Sequence, residues 1–183
     1  MNVAIPRPHA REAYLAERPS FAEAAAPANR LAVYRYLLHL TGDPHAAEDL
    51  TQEAFARALS RLDRYDPSRG PLRPWLVAVA RRVAIDEARS SRSRRARERR
   101  FAAAQPPAEP EPEVPGDVSG DLRAALATLT PAERETVALR VVVELSAADA
   151  AQVMGVTPSA CSTTLHRALG KLRRALDPEA PRV

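Results

Sequence analysis

Between Phe101 and Gly120 the chain carries Pro106, Pro107, Pro110, Pro112 and Pro115, together with Glu109, Glu111, Glu113 and Asp117 and no basic residue. Repeated proline removes backbone donors, and the like charges repel one another. Such a stretch is expected to form an extended tether and to contribute nothing to a core. A chain of 183 residues interrupted in this way has room for two small domains. The expected organisation is a first domain over 28–100, a linker over 101–119 and a second domain over 120–176. A poorly defined segment, 1–27, precedes them and a tail, 177–183, follows. Charge divides along the same lines. Residues 1–100 hold 19 arginines against 12 acids, a net +7, the linker region holds −4, and residues 121–183 hold 8 basic and 7 acidic residues, a net +1. The overall +4 conceals a basic half, an acidic tether and a nearly neutral half.

Both domains read as all-α. Aromatic residues are 4% of the chain and glycines number 6, too few for the aromatic strands and glycine turns of a sandwich or barrel. Leu31, Tyr34, Leu37, Leu38 and Thr41 mark one helix, ended by Gly42-Asp43-Pro44. Leu50, Ala54, Phe55, Ala58, Leu59 and Leu62 follow helical spacing from about Pro44 to Leu62. Asp66-Pro67 and Gly70-Pro71 then punctuate a loop. A third helix starts at Leu72 or Pro74 with Leu76, Val79, Ala80 and Val83 on one face, and runs into an arginine-rich stretch. Pro19 and Pro27 leave room for no more than a short helix before Ala28.

In the second domain, a helix over about Gly120–Ala127 precedes Thr130-Pro131-Ala132-Glu133, a capping box with proline at the first helical position. That box opens a helix to about Val143. Ser146 to Asp149 resembles a second box, Gly155 suits the left-handed residue after a helix, and Thr157-Pro158 opens the last helix. Its apolar stripe is Cys161, Leu165, Ala168, Leu169, Leu172 and Leu176.

Several classes of protein are set aside. The single cysteine, Cys161, forms neither an internal disulfide nor a cysteine-rich zinc site, and its small apolar character fits a buried position better than a redox switch. No apolar run approaches the ~20 residues that span a bilayer, and residues 1–17 lack a signal peptide's apolar stretch. A soluble, cytoplasmic protein is expected. His9, His39, His45 and His166 are scattered without metal-ligand spacing, and there is no glycine-rich phosphate loop or nucleophile elbow. An enzyme, a metal site, a cofactor and a small-molecule substrate are therefore not expected.

Ser146 to Ala168 meets the requirements of a helix-turn-helix. Ala151 permits close helix packing, Gly155 takes the turn, and Val156, Cys161 and Leu165 seal the core. Ser159, Ser162, Thr163, Thr164, His166, Arg167 and Lys171 are then left outside. Thr163, Arg167, Lys171 and Arg174 form one stripe, with hydroxyls for base edges and cations for phosphates. A second basic surface gathers Arg73, Trp75, Arg81, Arg82 and Arg89, and extends to Arg100. Trp75 and Tyr65 offer flat rings on which an unpaired base stacks, although Trp75 equally suits a core position at a helix start. Glu48, Asp49, Gln52 and Glu53 form an acidic face in a net-basic domain. This face is either a solvated helix start or a dock for a basic protein surface.

The residues at this point resemble a known family. Tyr36-Leu37-Leu38 through Gly42-Asp43, Ala47 to Phe55, Trp75-Leu76, Ala80-Arg81 and Ile85-Asp86 look like conserved region 2 of extracytoplasmic-function sigma factors. Leu129 to Arg134, Ala138-Leu139-Arg140 and Leu165 to Leu169 look like their region 4. The resemblance implies a transcription initiation factor without catalysis of its own. Glu48, Asp49, Gln52 and Glu53 would dock on the β′ clamp helices of core RNA polymerase, with the β flap as a further contact. Tyr65, Arg69, Arg73, Trp75, Arg81, Arg82, Asp86 and Arg89 would open and read the −10 promoter element. Ser159, Ser162, Thr163, Thr164, His166, Arg167 and Lys171 would read the −35 element in promoter DNA. An anti-sigma factor, often membrane-anchored, would hold the chain inactive. The competing expectation is a dimeric helix-turn-helix repressor or activator with a basic arm, which binds a palindrome without polymerase and gives the acidic face no role.

Overall fold

A computed structural model of the protein describes residues 19–101 and 120–177, so the proline-rich linker, residues 1–18 and the final residues lie outside the described part. A short helix α1 (Phe21–Ala24) leads into α2 (Pro27–Thr41), which has proline in its first turn and ends at Gly42 with φ 69°. The Gly42 N–H donates to the Leu38 carbonyl, a left-handed stop that a Cβ would disfavour. Asp43 caps α3 (Pro44–Leu59) by accepting from the His45 N–H. That helix ends three residues short of Leu62, where the chain tightens into two 3-10 turns, Leu62–Arg64 and Pro67–Arg69. Helix α4 (Leu72–Phe101) carries the arginine run.

The second half contains α5 (Gly120–Ala127), α6 (Pro131–Val137), α7 (Ala147–Met154) and α8 (Pro158–Leu176). The Thr130 box forms in full: the hydroxyl accepts from the Glu133 N–H, and the Glu133 carboxylate accepts from the Thr130 N–H at 2.9 Å. At Ser146 the hydroxyl accepts from the Asp149 N–H, but the shorter carboxylate reaches only back to that hydroxyl, at 2.6 Å. Periodicity predicts one α-helix from Pro131 to about Val143. The chain instead widens after Val137 into a π-helical turn, Ala138–Val142, followed by Glu144 at φ 60°. A local π insertion of this kind re-aims the side chains that follow it.

The two halves share one hydrophobic core. Val33, Tyr36, Leu37, Leu76 and Val77 of the first lie in the same buried cluster as Leu139, Val143, Ala150, Ala151, Val153 and Cys161 of the second. Helix α2 packs on the π turn, and α4 packs on α7. A smaller cluster of Leu129, Val137 and Ala168 holds α8 to its own half. This arrangement corrects two expected faces. On α2, Leu31 is 46% exposed and Tyr34 is half-buried, whereas Ala32, Val33, Tyr36 and Leu37 are buried. Apolar residues encircle this helix, and the packed second half selects which of them go inside. In the helix-turn-helix, Val156 is exposed and Val153, one turn earlier, takes the core position expected of it. Leu169 and Leu176 of the expected α8 stripe are likewise exposed.

Glu133 also accepts from Lys171 Nζ at 2.7 Å, tying α6 to α8. The Lys171 ammonium first, and the Thr130 N–H next, bring its carboxyl down to about 2 from an ordinary 4.5. A carboxyl whose folded pKa lies below its unfolded value contributes stability above about pH 4.5 and loses it as the pH falls toward about 2. Thermal melting between these values should therefore fall with pH more steeply in the wild type than in Glu133→Gln. Equal slopes would show that the carboxylate has no such linkage.

Candidate nucleic-acid and polymerase interfaces

The loop after α3 and the start of α4 form the wall of a cleft of about 320 Å³. It is lined by Arg64, Tyr65, Asp66, Arg69, Trp75 and Arg82 of the first half and, unexpectedly, by Asp149, Gln152 and Val153 of α7. The loop is shaped locally. Asp66 accepts from the Ser68 N–H at 3.0 Å and the Ser68 hydroxyl at 2.7 Å, which holds its carboxyl below the usual range. The Tyr65 hydroxyl donates to the Gly70 carbonyl at 2.8 Å. Its ring meets Trp75 with centroids 5.5 Å apart and planes tilted by 59°. Tyr65 is buried, so of the two rings it is the half-buried Trp75 that presents a face to the cleft.

Of the eight residues assigned to a −10 surface, Tyr65, Arg69, Trp75 and Arg82 converge here. Arg73 and Arg89 are exposed elsewhere on α4. Two others face different partners. Asp86 accepts from Arg57 Nη1 at 3.0 Å, and Arg81 Nε donates to Glu135 at 2.5 Å. The second pair places Arg81 against the other half of the chain. Successive helical positions differ by about 100°, so Arg82 turns toward the cleft while Arg81 turns into the seam between the halves.

On α8, Ser159, Ser162, Thr163, His166 and Arg167 are exposed and Thr164 is half-buried. The Thr163 hydroxyl donates to the Ser159 carbonyl at 2.9 Å. Lys171, expected to meet phosphate, is instead engaged by Glu133, whereas Arg174 remains exposed on the same helix. The acidic face of α3 is formed: Asp49, Gln52 and Glu53 are exposed. Glu48 pairs with Arg30 at 2.5 Å and Glu53 with Arg57 at 2.6 Å. Exposed pairs of this kind contribute only about 0–1 kcal/mol, so they exchange readily for a partner's cations.

A second, largely apolar groove of about 520 Å³ runs between α2, α5 and α6, lined by Leu38, Leu40, Leu126 and Val142 together with the exposed Arg35 and the half-buried Arg134. His39 lies in its wall, where burial and the neighbouring Arg134 keep the imidazole below its ordinary pKa. Among the described residues no group of His, Cys, Asp and Glu side chains forms a metal centre, and no helix is long and apolar enough to cross a membrane.

Residues 28–95 match the family model for sigma-70 region 2, and residues 119–172 match that for sigma-70 region 4. The chain is 33% identical over 164 residues to the probable RNA polymerase sigma-C factor of Mycobacterium bovis, covering 86% of this chain and 84% of that one. The chain belongs to the extracytoplasmic-function sigma factors of the sigma-70 family. It is also 36% identical over 151 residues to the ECF sigma factor BldN of Streptomyces coelicolor, over 81% of this chain but 57% of BldN's length. Among solved structures, the sigma factor RpoE of Bartonella quintana, crystallised with the anti-sigma factor NepR, shares the fold. Its TM-score is 0.62 at 23% identity, over 82% of this chain and 93% of RpoE. CnrH in complex with the cytosolic domain of CnrY gives a TM-score of 0.58 at 25% identity, over 93% and 96% of the two chains. A dimeric helix-turn-helix regulator leaves the region 2 half without a role, and the paired region 2 and region 4 matches set that alternative aside.

Proposed function

We propose that this ECF sigma factor binds core RNA polymerase through Glu48, Asp49, Gln52 and Glu53 and directs promoter-specific initiation. In this reading, Arg69, Trp75 and Arg82 take the opened −10 strand in the cleft, with Tyr65 backing the tryptophan. Arg73 and Arg89 meet flanking phosphates. The exposed face of α8, from Ser159 to Arg167, reads the −35 element in the major groove, its hydroxyls at base edges and its cations on the backbone. The observation that carries the reading is that region 2 and region 4 occur in order on one chain, each with a distinct exposed polar face.

RpoE was solved with the anti-sigma factor NepR and CnrH with the cytosolic domain of CnrY, and an anti-sigma factor is the partner proposed here for the groove beside His39. Leu38, Leu126 and Val142 suit the apolar side of an inserted helix, and the exposed Arg35 suits an acid beside it.

The test is transcription by core polymerase with the purified chain on fragmented genomic DNA from its source. Initiation is expected at a discrete set of promoters. Arg167→Ala should weaken promoter binding by about tenfold, in line with loss of one base or phosphate contact worth about 1–3 kcal/mol. Absence of any discrete start site, in conditions where a control sigma factor initiates, overturns the reading.

A further inference from the structure

In the seam between the two halves, one polar cluster stands beside the shared apolar core. The Glu135 carboxylate on α6 accepts from the Tyr36 hydroxyl of α2 at 2.9 Å and from Arg81 Nε of α4 at 2.5 Å, with Arg81 Nη2 at 3.4 Å. These partners lie 99 and 54 residues from Glu135 in sequence, so only closure of the two halves brings them together. Tyr36 is fully buried and Glu135 is 15% exposed, and burial raises the tyrosine's pKa so that its hydroxyl stays a donor. A buried hydroxyl needs an acceptor and a half-buried guanidinium gains from one, and Glu135 supplies it to both. On the far side of the same seam α7 lies against the −10 cleft. Asp149, Gln152 and Val153 line it, and a Cβ placed on Gly70 would meet Gln152 Oε1 at 4.0 Å. The acidic face of α3 and the outer face of α8 remain exposed in this arrangement.

We infer that the free chain latches itself shut through Glu135, Tyr36 and Arg81, with α7 of region 4 seated over the −10 cleft of region 2. The polymerase-facing and −35 faces stay available while the single-strand cleft is covered by the chain's own region 4. The energetic logic is bistable. Closed, the carboxylate satisfies the buried Tyr36 hydroxyl and the half-buried Arg81 guanidinium, and the apolar residues of the seam are buried. Open, water satisfies all three groups but the apolar seam is exposed. A partner that separates the halves must therefore compensate the apolar surface as well as the polar cluster. Removing the carboxylate alone tips the balance, because only in the closed state does it leave the buried Tyr36 hydroxyl without an acceptor and Arg81 without its counter-charge.

Trp75 is the sole tryptophan and lies in the cleft that α7 covers, so the full chain reports its own closure. Acrylamide quenching of its fluorescence and small-angle scattering are measured on the free protein, with neither polymerase nor DNA. A failure here is thus distinct from a failure of the proposed function. The wild type should scatter as one compact particle with a shielded tryptophan. Glu135→Ala and Arg81→Gln should each raise the quenching constant about twofold and enlarge the radius of gyration, with helix content unchanged by circular dichroism. Glu87→Gln, which removes an exposed pair with Arg94 on the outer part of α4, should behave as wild type. The inference is overturned if the wild type scatters as an extended pair of domains with a freely quenched tryptophan. It is equally overturned if both latch variants stay helical, compact and shielded.

Discussion

Leu139→Ala should destabilise the chain by about 2–5 kcal/mol, the range for truncating a fully buried leucine, and lower its melting temperature by roughly 6–15 °C at this chain length. Leu139 is completely buried in the π turn of region 4, in the cluster that also holds Tyr36, Leu37, Leu76 and Val77 of region 2. The expectation is stronger than a simple loss. Because the core is common to both halves, Leu37→Ala, made in the other half, should shift the same single calorimetric transition by a similar amount. Two resolved transitions, each moved by only one of the variants, would show that the halves melt as independent domains.

Asp49→Lys should weaken assembly with core polymerase by more than about tenfold while leaving the fold intact. Asp49 is exposed on the acidic face of α3 and contributes nothing to the buried cluster. A lysine at that position sets like charges together across the proposed interface, a cost of several kcal/mol, of which each ~1.4 is a factor of ten. Within the helix the same lysine stands four residues before Glu53, a favourable pairing worth a few tenths of a kcal/mol. Melting temperature should therefore hold or rise slightly as affinity falls, a split that a folding defect cannot mimic. Titration of labelled core polymerase with both chains measures it, and affinities within about twofold of each other would remove Asp49 from the interface.

The elements whose signals are local are legible in the residue types alone. The Thr130–Glu133 box, the left-handed glycines at 42 and 155, and the proline starts at 27, 44, 131 and 158 all appear where the residue types demand them. Each works through backbone groups within about four positions, so a short stretch of chain contains both partners. The exposed stretch of α8 and the acidic face of α3 are legible for a similar reason, since a helix sorts polar residues by its own period.

Local pattern misleads where the deciding partner is distant. Tyr34 and Tyr36 are equally plausible core residues of α2, and only the π turn of region 4, packed on one side, buries Tyr36 and leaves Tyr34 partly exposed. Arg81 and Arg82 are adjacent and chemically identical, yet one meets Glu135 and the other lines the cleft. Lys171 continues a basic stripe in sequence but is claimed by Glu133, 38 residues earlier. Gln152 and Asp149 carry no signal for the cleft beside Trp75 because nothing local links α7 to that tryptophan.

The sequence by itself therefore determined the capped helix starts, the glycine stops at 42 and 155 and the family, because capping, turn chemistry and helical period are short-range properties of the backbone, whereas the π turn after Val137 was not legible in it. The tertiary structure alone decided that the two halves share a core, which arginine lines the cleft and which meets Glu135, and that α7 of region 4 lies against the cleft of region 2. Those outcomes depend on apolar surfaces and charges that become neighbours only after the chain closes. Burial then makes the satisfaction of Tyr36 and Arg81 a condition of closure, whereas in the open chain water satisfies them.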